Sequence, residues 1–294
     1  MDEFNFDDDV FSETVERKAI PLIKNYQAKI DEDGWFHDIG DIRERMTEKL
    51  GPGYVKSAIE HDYLHRRYKE ALEKTLIYLD MIENDDRCTI LGTREINEIG
   101  VLCGAKLGQW DLVEKLLDAK QTTFEVGSLL LRGRYYPKCG RTVDGIANLV
   151  LYCQHRKRDY QAWRLMAEAY WHEREKGEMM LHLAHLCMTR SLRVMTTFPW
   201  RLDIPLIRNR FQNEKTKMEQ FKDTIEQAGG QLDAFVAWME APSDDSQAQR
   251  LKEQNLDGFS WEDLDWTRIE WLRRLDDSET GIDDHDVERA VKEM

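Results

Sequence analysis

The sequence predicts an all-α protein assembled from helix–turn–helix hairpins, and three observations predict it. The six prolines leave long proline-free stretches, notably 53–136 and 138–198. No run alternates apolar and polar residues well enough for a strand. Apolar residues instead recur at three and four positions. Tyr63-Leu64, Tyr68, Ala71-Leu72, Thr75-Leu76 and Leu79 fall on one helix face in this way.

In chain order, residues 1–50 read as an acidic N-terminal segment with a lead-in helix. Asp31-Glu32-Asp33-Gly34 within it lacks the ligand spacing and closing Glu of a calcium loop, so it reads as a turn. The first hairpin runs from about Tyr54 to Ile82, turning at His65-Arg66-Arg67-Tyr68. The second runs from about Ile96 to Asp118, turning at Leu107-Gly108-Gln109-Trp110. In both, an aromatic (Tyr68, Trp110) precedes a small or β-branched residue (Ala71, Val113) by three positions. That pattern resembles tetratricopeptide repeats, where the small residue lets the second helix approach the first. A more degenerate pair, about Phe124–Tyr136 and Thr142–His155, breaks at Pro137-Lys138-Cys139-Gly140. Trp163, Met166-Ala167 and Tyr170 reproduce the front of the same motif, with a second helix at about Met179–Val194. The segment 206–239 reads as a last helix or pair, broken at Gly229-Gly230. Tyr68 and Trp110 are 42 residues apart rather than 34, so the repeats are irregular.

One hairpin cannot bury its apolar face alone, and stacked neighbours bury it for one another. The expected fold is therefore a tetratricopeptide-like α-solenoid with C-terminal capping helices and acidic termini. Residues 51–200 hold the repeats and 201–294 form a C-terminal helical extension with an acidic tail. Ser260 reads as the N-cap of a last helix, with Glu262 and Asp263 in its first turn. Trp261, Leu264, Trp271, Leu272 and Leu275 fall on one face of it, about 100° wide, and Trp266 and Ile269 lie off that face. Such a helix can dock on a partner, occupy the protein's own groove, or cap the last repeat.

Charge is unevenly placed. The chain carries 57 acidic and 42 basic side chains, net −15. Residues 1–16 hold −7 and residues 240–294 hold −10, which leaves 17–239 at +2. Acidic ends repel nucleic acid and anionic lipid and suit a basic protein surface, or else serve as solubilising tails. No apolar run reaches the roughly 18–20 residues of a membrane span, and the acidic start is unlike a leader peptide. The five cysteines are odd in number and widely spaced, with no C-x-x-C, so reduced thiols are expected. These features place the protein in cytoplasm or nucleus.

Nucleotide-binding glycine loops and the serine-hydrolase elbow are absent, and no catalytic residue, cofactor or metal is assigned. His182 and His185, spaced i, i+3 near Cys187, read as core or surface histidines. Between Arg132 and Arg164 eight bases face only Asp144 and Asp159, with Tyr135 and Tyr136 interleaved. Arg132 and Arg134 open this stretch. It reads as solvated surface, as a dock for an acidic segment of a partner or of this chain's N-terminus, or as a single-stranded nucleic-acid patch. The net charge argues against the last.

Register from the turns places Lys56, Glu60 and Tyr63 on the concave face of the first unit. Glu95, Glu98 and Lys106 follow in the second, and Arg164, Glu168, Trp171 and His172 in the last. Glu60, Glu98 and Glu168 would repel a C-terminal carboxylate, so an extended or helical peptide suits this groove better. Trp261 and Trp271 are the candidate contacts of the last helix.

The order of these landmarks resembles the eukaryotic family typified by human chromosome 8 open reading frame 76. The likeness rests on Asp9-Val10-Phe11, Trp35-Phe36, Tyr68 with Ala71-Leu72, Leu107-Gly108, Trp163 with Ala167-Glu168-Ala169-Tyr170, and Gly258-Phe259-Ser260. The stretches 124–158 and 196–245 depart from it. The resemblance implies a tetratricopeptide-like helical protein without assigned enzyme activity, and it brings no site residues. The expected function is a non-enzymatic adaptor whose protein partner and oligomeric state the sequence does not specify. The alternatives are a nucleic-acid-associated subunit using 132–164, and an enzyme with an unrecognised inter-helix site.

Overall fold

The computed structural model describes residues 38–88, 93–119 and 125–273. Every regular element among them is helical: α1 (Ile42–Met46), α2 (Gly51–Leu64), α3 (Tyr68–Asn84), α4 (Arg94–Leu107), α5 (Trp110–Asp118), α6 (Val126–Tyr135), α7 (Thr142–His155), α8 (Tyr160–His172), α9 (Glu178–Thr197), α10 (Pro205–Gln227), α11 (Ala234–Glu240), α12 (Gln247–Glu253) and α13 (Trp261–Leu272). The acidic start, Asp31–Gly34, Trp35-Phe36 and Leu275 lie outside the described residues.

Helices adjacent in sequence pack together from α2 through α10. The turns explain how. Between α2 and α3, Arg67 Nε donates to Asp62 Oδ1 at 2.8 Å, and Lys74 donates to the other oxygen. Burial raises the Asp62 carboxyl, and the Lys74 and Arg67 hydrogen bonds outweigh that and leave it below its ordinary value. Gly108 ends α4 at φ +70°, in the left-handed region, and Gln109 N–H donates to Gly104 O at 2.9 Å. The small residues do what their spacing suggests. Ala71 is fully buried against Leu72 and Cys103. A Cβ on Gly104 would sit 2.9 Å from Val113 Cγ2, so α4 and α5 approach as closely as a glycine allows. Asn97 Nδ2 donates to Leu116 O at 2.8 Å across the same pair.

The largest core lies in the second half. Ile146, Leu149 and Cys153 of α7 meet Trp163, Met166 and Tyr170 of α8, then Leu183, Leu186 and Cys187 of α9. Phe235, Leu264 and Trp271 close it from the C-terminal side. Smaller clusters sit between α1 and α4 and between α4, α5, α6 and the turn that follows α6. A 3-10 turn, Tyr136–Cys139, forms at the proline break between α6 and α7.

Two expectations need correction. The short helix α12 is an element that the spacing does not predict; it buries no residue and carries little periodic signal, although Ser246 caps it. Helix α13 begins at the Ser260 cap as expected, with Ser260 Oγ accepting from Asp263 N–H at 3.3 Å. Its buried residues, however, are Leu264, Thr267, Glu270 and Trp271. Trp266, expected off the face, stacks on Trp163 with centroids 5.6 Å apart. Thr267 Oγ1 donates to Asp263 O at 2.9 Å, and Glu270 pairs with Arg273 at 2.5 Å. Their polar atoms are satisfied locally, so both can be buried, and a purely apolar reading of the face misses them.

Candidate functional site

The expected concave-face residues are brought together in part. Lys56 of α2 pairs with Glu95 of α4 and lies 3.9 Å from Glu60. Glu98 faces Arg94 at 3.5 Å, and Arg94 reaches Glu125 at 2.8 Å. Burial lifts the Glu98 carboxyl above its ordinary value. Tyr63 is half-buried against Tyr68, their rings 5.9 Å apart. The Lys56–Glu95 pair ties α2 to α4, and the Arg94–Glu125 pair ties α4 to the start of α6.

The corresponding face of α8 is not open, because α10 lies on it. Arg164 bonds Glu168 at 3.3 Å and Glu214 of α10 at 3.2 Å. Trp171 meets Phe221 edge-on at 5.8 Å, and the Arg174 guanidinium lies over the Trp171 ring at 4.7 Å. Arg164, Glu168 and Trp171 therefore sit at or beside an intramolecular contact rather than lining an empty groove. The signal for this was present. Phe211, Glu214, Met218, Phe221 and Ile225 are spaced three and four apart, a single helix stripe, and Met218 and Ile225 are buried. Trp271 is likewise a core residue, 1% exposed. Trp261 packs on Trp238 and under Arg250.

His182 and His185 dock the α10–α11 region onto α9. His182 Nδ1 accepts from Gln231 N–H at 3.0 Å, and His185 Nε2 lies 2.9 Å from Glu226 Oε1. No three His, Cys, Asp or Glu side chains among the described residues are arranged to hold a metal. Burial raises the Cys103 thiol to about 11. No helix of the described residues is long and apolar enough to cross a membrane.

The basic stretch splits in two. Its first part is bound up by α5. Arg132 Nε donates to Leu117 O at 3.2 Å. Arg141 bonds Asp118 and Asp144 at 2.7 and 2.6 Å and lies over Tyr136 at 4.3 Å. Tyr136 O–H donates to Asp118 at 2.7 Å, and burial with that carboxylate pushes its pKa up to about 12. Arg134 is half-buried on α6. A cleft of about 470 Å³ beside this network holds Arg141 and Lys176, both paired to carboxylates, so neither cation is spare.

The second part is different. Arg156, Lys157 and Arg158 form the exposed α7–α8 turn and make no ion pair among the described residues. They rim a cleft of about 600 Å³ whose other wall is the α9–α10 connector, with Phe198 and Trp200. Trp200 is fixed: its Nε1 donates to Met195 O at 2.8 Å, and its ring meets Tyr160, Phe198 and Phe211 at 6.3, 6.1 and 5.4 Å. Asp159 is fixed too, accepting from Tyr152 O–H at 2.7 Å and from Gln161 N–H at 2.9 Å. The connector and the first turn of α10 expose large apolar groups in succession: Phe198 51%, Leu202 40%, Ile204 39% and Leu206 78%. Arg208 shapes the connector by donating to Leu202 O at 2.7 Å. Exposed cations thus lie beside a run of exposed apolar side chains. The basic half was legible in the sequence, and the apolar half was not, because Phe198-Pro199-Trp200 has no helical period to single it out.

The cleft and the helical hairpins define an all-α protein with a basic, aromatic-walled groove. No family model, curated protein or solved structure matches the chain.

Proposed function

We propose that this chain is a non-enzymatic adaptor built as a tetratricopeptide-like α-solenoid. It binds an acidic peptide segment of another protein, carrying aromatic or aliphatic side chains, between the α7–α8 turn and the α9–α10 connector. The observation that carries this is the pairing of Arg156, Lys157 and Arg158 with the exposed Phe198 beside the immobilised Trp200. A rigid aromatic wall loses little entropy on binding, and neighbouring cations select the sign of the ligand.

The test is fluorescence anisotropy with a labelled twelve-residue peptide alternating Glu with Phe and Leu. A polyglutamate peptide, a Lys-for-Glu peptide and a single-stranded oligonucleotide serve as comparison probes. The acidic–apolar peptide is expected to bind most tightly. Phe198→Ser alone, or the triple change Arg156→Glu, Lys157→Glu and Arg158→Glu, should weaken it at least about tenfold. Raising the salt should weaken it further, since the cations are exposed. Equal binding of all probes, or indifference to both variants, would refute the assignment, and preference for the oligonucleotide would favour nucleic acid instead.

A further inference from the structure

The described chain ends at Arg273, just past α13, and the position of that end bears on the cleft. Trp266 of α13 stacks on Trp163, near the start of α8. Burial raises the Cys153 thiol, and the nearby Asp159 and Glu270 carboxylates add to it. Glu270 near the end of α13 thus shares a neighbourhood with the end of α7 and the start of α8. Ser191 Oγ donates to Tyr160 O at 2.6 Å, which brings the last turns of α9 to the same end. The chain therefore leaves α13 at the end of the bundle where the α7–α8 turn and the α9–α10 connector form the cleft.

The residues after Arg273 match the cleft in charge. Residues 276–288 hold seven acids (Asp276, Asp277, Glu279, Asp283, Asp284, Asp286, Glu288) and no Lys or Arg. Ile282 and Val287 are interleaved with them. At roughly 3.3–3.6 Å per extended residue, two or three residues beyond Arg273 bridge several ångströms before the acids begin.

We infer that residues 276–288 are the intramolecular occupant of this cleft, their carboxylates against Arg156, Lys157 and Arg158 and Ile282 against Phe198 and Trp200. The segment then competes with a partner's acidic peptide for the same surface. This rests on the adaptor reading above, since it names what covers that same cleft. A tethered competitor works at millimolar effective concentration, so even a weak contact holds the cleft mostly closed. Partner affinity is lowered by the fraction of chains in which the cleft is open.

Two measurements on the full-length chain test it. The first compares the acidic–apolar peptide on the native chain and on a chain with Asp276, Asp277, Asp283, Asp284 and Asp286 changed to Asn and Glu279 and Glu288 changed to Gln. The neutralised chain is expected to bind about tenfold more tightly. The second is zero-length carbodiimide cross-linking with peptide mass spectrometry. An amide should join Lys157 Nζ to a carboxylate of 276–288 within a monomer, the carbodiimide taking up the water. Lys157→Arg should abolish that cross-link and leave the fold intact. Unchanged affinity on neutralisation would overturn the inference while leaving the adaptor reading standing, provided the peptide binds. So would a cross-link from Lys157 to residues 1–16, or one found only between two chains. If no peptide binds either chain, the adaptor reading fails, and the cross-link alone decides whether the tail covers the cleft.

Discussion

Two glycines of α6 should respond to the same substitution with opposite signs. A Cβ on Gly133 would stand 2.4 Å from Leu149 Cγ and 2.6 Å from Leu149 Cδ2. Carbon atoms rest about 3.5–4.0 Å apart, and Leu149 is fully buried with no slack toward solvent. Overpacking of this kind costs about 1–3 kcal/mol. Replacing a mid-helix glycine by alanine returns about 1 kcal/mol. The net for Gly133→Ala is a loss of up to about 2 kcal/mol. Gly127, on the first turn of α6, has nothing within 4 Å of its Cβ position. Gly127→Ala should therefore gain about 0.5 kcal/mol. Urea unfolding followed by circular dichroism at constant m-value measures both. Leu149→Ala alone should cost about 2–5 kcal/mol by leaving a cavity. In the double variant the new methyl occupies part of that cavity, so the loss should fall short of the sum by about 1 kcal/mol or more. A stabilising Gly133→Ala, or a double variant additive within about 0.5 kcal/mol, would refute the claim that α6 and α7 meet through this contact.

Asp62→Asn should cost about 1–3 kcal/mol at pH 7. A depressed carboxyl contributes above its ordinary value near 3.8 and loses that contribution as the pH falls through the lower folded value. The gap between variant and native chain in urea should therefore narrow as the pH falls below about 3.8, and a gap independent of pH would remove the ion-pair account. His185 is held below its ordinary value near 6.5, burial lowering it and Glu226 partly restoring it. The folded chain prefers it neutral, so His185→Gln should lessen the stability lost between pH 7 and pH 5; an unchanged slope would contradict this. Trp271→Ala should cost about 3–5 kcal/mol, whereas Phe198→Ser should change stability by under about 0.5 kcal/mol. Thermal melts of equal depression in the two would mean that Phe198 is not a surface residue.

Much of the helical plan was readable because its punctuation is chemical. The turns at His65–Tyr68 and Leu107–Trp110, the proline break at 137 and the Ser260 cap each fall where the chain turns. The parts that were not readable are relational. The sequence places Arg164, Glu168 and Trp171 on one helix face, yet it does not say that α10 lies across it; only the stripe Phe211, Met218, Phe221, Ile225 hints at this. Trp271 and Trp261 look alike in sequence, but one is buried and the other sits at the edge, because Thr267 and Glu270 satisfy their own polar groups and turn α13 inward. The cleft combines a basic turn with a connector some forty residues later, and neither half means much without the other.

The stack of Trp266 on Trp163 has a bearing on how the chain is made. Most helices touch their immediate neighbours, and such local contacts form early and quickly. Trp163 is different. Its partner ring arrives only after α9, α10, α11 and α12 have been synthesised. Until then the α7–α8 surface that receives Leu264, Trp266 and Trp271 stays bare on the nascent chain. The final helix thus acts as a completion signal. A chain truncated before residue 261 would carry nearly all its helices and still display an unfinished core, the kind of surface that chaperones and proteases recognise.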